Sequence, residues 1–222
     1  MGVTTEFLDA AAVIAERSTA PLLFHWPMPG NLGGLLKFAT FAEWRDFVLQ
    51  FGLRDGIPDI VKAKFDRAHK LHVLAWVDPD LLKAGEQVAL TTLELALKDR
   101  YGHKVRDKRG NIRFANALRY MVESDGLTDD QVPMNRRCGP PSTVVGRLTG
   151  DVRPSLADMR NDLAHGYPFD GLPHSGLLEL VRDLIEYAYR DMIGAAVGLI
   201  PHQNSASELP SESADSEPMR EF

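Results

Sequence analysis

Residues 78–102, DPDLLKAGEQVALTTLELALKDRYG, read as one long helix, and that reading decides the fold class. Asp78 followed by Pro79 is a start signal, a capping acid and then a residue whose fixed φ suits the first helical turn. Leu82, Ala89, Leu90, Leu93 and Leu97 recur at helical spacing and form the strongest apolar stripe in the chain. Gly102 and the basic stretch through Gly110 end it. A stripe of this length has to be buried, and the flanking sequence offers helices to bury it. Pro58 suits the first turn of a helix running to about Val77, and Thr40 with Glu43 makes a capping box for a helix through Phe51. Trp44, Phe47, Val48 and Phe51 of that helix face inward, and a first helix covers Thr5 to Glu16. On the other side, Phe114, Ala117, Leu118 and Met121 mark a helix ending at Gly126, and a short helix runs from Pro154 to Gly166. The last long helix spans Ser175 to Val197, with Leu177, Leu180, Val181, Leu184, Ala188 and Ile193 buried.

Between these helices, PLLFHWPMPGNLGG (residues 21–34) reads as an irregular aromatic segment laid on the core, and Pro133–Gly150 as the longest internal loop. No run alternates with a period of two, so no sheet is placed. His69 and His72, with Asp66 one turn earlier, read as a surface pair because a third strong metal ligand is missing. From about Gln203 the chain is Ser, Glu, Pro and Ala, a composition unable to offset the entropy of ordering. The expected organisation is all-α: an N-terminal helical extension over 1–77, a helical domain over 78–200 and a disordered acidic tail over 201–222.

Composition narrows the classes. The 222 residues are 44% hydrophobic and 25% charged, ordinary for a globular protein. The single cysteine, Cys138, rules out an internal disulfide and fits a reducing compartment. Two adjacent arginines would lower its thiol pKa, but no histidine base is close in sequence, so no thiol nucleophile is assigned. No stretch approaches the roughly 20 apolar residues of a membrane helix, and the N-terminus lacks the order of a secretion signal, so no membrane association and a cytosolic location are expected. The formal net charge is -6, but residues 98–119 carry eight Lys or Arg against Asp99 and Asp107. That run is either a solvated helix end or an anion-binding surface, since local field rather than total charge decides docking.

The polar signal lies in RPSLADMRNDLAHGYPF, residues 153–169. Leu156, Met159 and Leu163 pack inward, while Arg160, Asn161, Asp162 and His165 form a dense polar set. Arg160 and His165 are five apart, about 140° round an ideal helix, so they meet at one ligand only if the last turn is distorted or a second chain contributes. Arginine clamps phosphate bidentately and histidine moves protons near neutrality. Together they suit RNA cleavage by the 2'-hydroxyl, a nucleophile that DNA lacks.

RNDLAHG resembles the signature of the HEPN superfamily, in which an arginine and a polar residue are followed after a few positions by histidine. Arg160, Asn161 and His165 match those positions. AGEQVALTTLELALKDRYG resembles the long first HEPN helix, with Glu94 turned toward the site, and the resemblance covers roughly Asp78 to Val197. It implies an HEPN-like helical bundle, usually a homodimer whose two motifs line one cleft. It also implies a metal-independent ribonuclease of a toxin–antitoxin, abortive-infection or antiphage defence system, or else an inactive member serving as a scaffold that recognises a protein or nucleic acid. Tyr167 resembles the tyrosine that a partner nucleotidyltransferase antitoxin modifies in some HEPN toxins, and it equally suits a ring anchoring the turn. On this reading Arg160 clamps phosphate, His165 shuttles the proton, Asn161 orients the histidine or the substrate, and Glu94, Asp162 and Tyr167 support. Lys98, Arg100, His103, Lys104, Arg106, Lys108, Arg109, Arg113, Arg136, Arg137 and Arg147 form the RNA track. Neither metal nor cofactor is expected.

Overall fold

In the computed structural model, which describes residues 3–15, 21–140, 143–165, 174 and 176–198, the long apolar stripe becomes the axis of the molecule. The elements follow in order: α1 (Thr5–Ala15), β1 (Leu22–His25), β2 (Leu35–Phe38), α2 (Phe41–Leu49), α3 (Asp59–Leu74), α4 (Leu81–Tyr101) and α5 (Phe114–Glu123). A 3-10 turn (Asp129–Gln131) then leads to α6 (Pro133–Cys138), α7 (Val145–Thr149), α8 (Leu156–His165), α9 (Leu177–Ala188) and α10 (Arg190–Gly198). The described part of the chain is thus an all-α bundle carrying one small hairpin. Leu90, Leu93, Ala96 and Leu97 of α4 are fully buried, with α3 along one side of the helix and α9 along another. The α3–α4 approach is close enough that a Cβ on Gly85 would sit 2.5 Å from His72 Nδ1. Only glycine fits there.

Several sequence expectations are corrected by partners distant in the chain. The 21–34 segment is not irregular throughout, because β1 and β2 pair antiparallel, Leu22 opposite Phe38 and His25 opposite Leu35. The alternation is hidden in the sequence because exposed Leu23 and Leu35 occupy the outward positions. Inward-facing Phe24 and Trp26 join Trp44, Phe47 and Phe51 in an edge-to-face and stacked cluster with centroids 4.8–5.9 Å apart, a geometry favoured by the ring quadrupoles. The α2 capping box forms as expected, with Glu43 N donating to Thr40 Oγ1 at 3.3 Å.

The 133–150 stretch is mostly helical rather than loop. Pro133 opens α6, and Met134 N donates to Asp183 on α9 at 2.7 Å. The start of α7 is satisfied by Asp129, whose carboxylate accepts from Val144 N at 2.6 Å and Val145 N at 3.0 Å. Both acids lie outside the segment that they cap. The α4 start also shifts, because Asp78–Asp80 forms a turn and the helix begins at Leu81.

The expected single last helix is broken at Tyr189. Arg100 Nε donates to Ala188 O at 2.7 Å, and Met192 N bonds Tyr189 O instead of that carbonyl. Tyr189 OH donates to Asp99 at 2.7 Å and locks the bend. His69 and His72 are not a surface pair either. Both are buried on the α3 face with Phe65 and Ala68, and burial pushes their pKa values down to about 3 and about 4. No described helix is long and apolar enough to cross a membrane. Tyr167 and the tail from 201 lie outside the described residues.

Candidate functional site

The strongest polar contact between α4 and α8 is made by Glu94 and Arg160. Glu94 lies one turn before the last turn of α4, on the side facing α8, where its side chain is only 11% exposed. Its Oε2 accepts from Arg160 Nε at 2.8 Å and Nη2 at 2.7 Å. Its Oε1 faces Lys98 Nζ at 2.7 Å, one turn further along α4. Burial alone would raise the Glu94 pKa, but hydrogen bonds from Lys98 and Arg160, together with their charges, hold the carboxyl below its ordinary range. The guanidinium of Arg160 is thereby fixed in plane, with Nη1 donating to Asn161 Oδ1 at 3.3 Å.

A fifth group stands here that sequence reasoning did not single out. Lys64 on α3 reaches across to Thr91 O at 3.3 Å. Thr91, Glu94 and Lys98 lie on one face of α4, spaced three and then four residues apart. Burial lowers the Lys64 pKa, Glu94 raises it, and Arg67, Lys98 and Arg160 all lower it further. One carboxylate therefore sits among cations from three helices. The missed signal was the i, i+3 pair Lys64 and Arg67 on the flank of α3, which reads as ordinary surface until α3 is docked on α4.

The remaining motif residues are more open. Asn161, Asp162 and His165 are exposed on α8, and His165 occupies the last helical position. Because α8 is a regular helix through His165, that residue lies about 140° around and about 7.5 Å along from Arg160. One copy of α8 does not place both at the same point.

The basic residues divide into two sets. His103, Lys104, Arg106, Lys108, Arg109 and Arg113 are exposed in or beside the α4–α5 loop, which Asp107 shapes by accepting from Arg109 N and Asn111 N at 2.8 Å. Arg136 is exposed as well. Arg100 and the more exposed Arg137 are engaged by partners within the chain. Arg100 holds the α9–α10 bend, and Arg137 donates to Pro27 O at 2.8 Å and pairs with Glu179 at 2.5 Å. Arg147, half-buried on α7, lines a largely apolar cavity with Met159, His174 and Leu177. Cys138 lies buried at the end of α6, where burial pushes its thiol up rather than down, Arg137 notwithstanding.

Behind the site, α4 carries a second buried acid. Glu86 is 2% exposed, accepts a hydrogen bond from His174 N, and has Lys83 Nζ 3.5 Å from its other oxygen. Burial raises its pKa to about 7 against the opposing pull of Lys83. Among the described residues no three His, Cys, Asp or Glu side chains are grouped to hold a metal ion. No protein-family model, curated protein or solved structure matches the chain.

Proposed function

We propose that this protein is a metal-independent endoribonuclease of the HEPN type, acting as a homodimer in a toxin–antitoxin or antiphage defence setting. The observation that supports this reading is the carboxylate clamp on Arg160. Glu94 fixes the guanidinium at the meeting of α4 and α8 with cations around it, where a phosphate would be met by a preset donor. In the proposed reaction the substrate's 2'-oxygen bonds to phosphorus and the bond from phosphorus to the 5'-oxygen breaks. The proton leaving the 2'-hydroxyl is matched by one delivered to the 5'-oxygen, so a 2',3'-cyclic phosphate and a 5'-hydroxyl result and no water is consumed. Arg160 holds the phosphoryl oxygens as charge grows on them, and His165, at the exposed end of α8, moves the proton. The separation of the two along α8 favours a two-fold pair in which one protomer's arginine works with the other's histidine.

Purified protein incubated with mixed cellular RNA in excess chelator tests this directly. Cleavage leaving cyclic-phosphate ends, lost in His165→Ala and Arg160→Ala, is expected. Wild type cleaving no faster than His165→Ala would refute it.

One observation favours a second reading, an inactive scaffold for a protein or nucleic acid. Arg160 Nε, Nη1 and Nη2 all have partners within the chain, as a purely structural arginine would. On that reading Arg160→Ala lowers stability by about 1–3 kcal/mol and RNA stays intact with wild type.

A further inference from the structure

We propose that Lys64 and Arg67, on α3, bind the RNA phosphate next to the one held by Arg160, so that the N-terminal half of the chain supplies part of the RNA-binding surface. The proposal rests on the ribonuclease reading and extends it to residues outside the motif. The geometry starts from α4. Thr91 O, which anchors Lys64 Nζ at 3.3 Å, lies one turn before Glu94 on the same face, about 4.5 Å along the axis. Glu94 is engaged by Arg160 on one oxygen and Lys98 on the other, while the hydrogen bond of Lys64 goes to Thr91 O. Lys64 is therefore a half-buried ammonium whose hydrogen-bond partner among the described residues is a neutral carbonyl. Arg67, three residues on, is exposed on the same flank of α3.

A neighbouring lysine gives the contrast. Lys62, on the same helix, is neutralised by Asp59 at 3.2 Å and Asp55 at 3.8 Å. Among the described residues no ion pair joins Lys64 or Arg67 to an acid; Glu94 is the acid whose charge acts on Lys64, against those of Arg67, Lys98 and Arg160. Like charges brought together beside a low-dielectric wall attract an anion strongly. A phosphate oxygen would give Lys64 the acceptor that a carbonyl supplies only weakly. The exposed cations of the α4–α5 loop would meet the strand farther out.

The test is a salt series of binding affinities, read by fluorescence anisotropy on a labelled, mixed-sequence 2'-O-methyl RNA oligonucleotide that cannot be cleaved by its own 2'-oxygen. Wild type, Lys64→Met, Arg67→Met, the double variant and Lys37→Met on β2 as control are compared, with melting curves confirming that each is folded. Methionine keeps most of the lysine stem's packing, and Arg67 is exposed, so its variant remains informative should Lys64→Met unfold. Each phosphate contact on a single strand contributes about 0.7 to the slope of log affinity against log salt. Because Lys64 and Arg67 share one phosphate, the double variant is expected to lose about 0.7 from that slope, and Lys37→Met to lose nothing. An unchanged slope in the double variant and in Arg67→Met, with wild type binding normally, overturns the proposal alone. A wild type with no salt-dependent RNA binding overturns the RNA reading and the proposal together.

Discussion

Replacing Glu86 by glutamine should change how stability depends on pH, and the structure sets both sign and size. The Glu86 carboxyl is almost wholly buried and keeps its proton up to about pH 7, whereas an unfolded chain releases it near 4.5. Between those values the unfolded state binds fewer protons than the folded one, so this group makes stability fall as pH rises. Its stabilising contribution relative to the ionised form is fully present below pH 4.5 and lost by the time the pH has passed about 7. Raising the carboxyl from 4.5 to about 7 corresponds to about 3 kcal/mol, or about 6–12 °C in melting temperature for a chain of this size. Glutamine keeps the shape and still accepts from His174 N, but it cannot ionise. Urea unfolding followed by tryptophan fluorescence suits the assay, because Trp26, Trp44 and Trp76 are all buried. His69 and His72 act in the opposite sense. Neutral in the fold down to about pH 3 and 4, they make stability rise with pH up to their ordinary range. They are common to both proteins and cancel in the difference. The stability of Glu86→Gln relative to wild type should therefore climb by up to about 3 kcal/mol between pH 4.5 and pH 8. A difference that stays flat across that range would refute the reasoning.

Two further outcomes follow from packing and pairing. Gly85→Ala forces a methyl into the ring of His72, at 2.5 Å from Nδ1 and 2.6 Å from Cε1; a loss of about 1–3 kcal/mol is expected in denaturant melts despite the gain in helix propensity. Arg137→Ala should cost about 2–3 kcal/mol by leaving the buried Glu179 only its longer contact with Arg182 at 3.7 Å, while the adjacent Arg136→Ala leaves the melting curve within about 0.5 kcal/mol of wild type.

The helical nature of the bundle was legible in the sequence because it rests on local signals. The α4 stripe, the Thr40–Glu43 box and the Leu177–Leu184 spacing each specify a helix through residues within a few turns of one another. So does the exposure of Asn161 and His165 on α8, which follows from the inward stripe of Leu156 and Met159. The contact of Glu94 with Arg160 was expected from the family resemblance and not from the stripe, which does not say what packs beside it.

What only the tertiary structure decided depends on partners far apart in the chain. Arg100 ends α9 by taking a carbonyl 88 residues away, and Asp129 and Asp183 create helix starts in a stretch rich in glycine and proline. Two histidines are buried because α4 and other elements pack against α3, and Glu86 because the segment at His174 closes over it, an environment that no window of sequence contains. Lys64 became a site residue in the same way, since its distance from Glu94 is set by α3 docking on α4 and not by its 30 positions of separation in the chain. Helix propensity and amphipathic spacing act over one or two turns and so can be read from the sequence alone, whereas desolvation and charge pairing depend on what folds against each group.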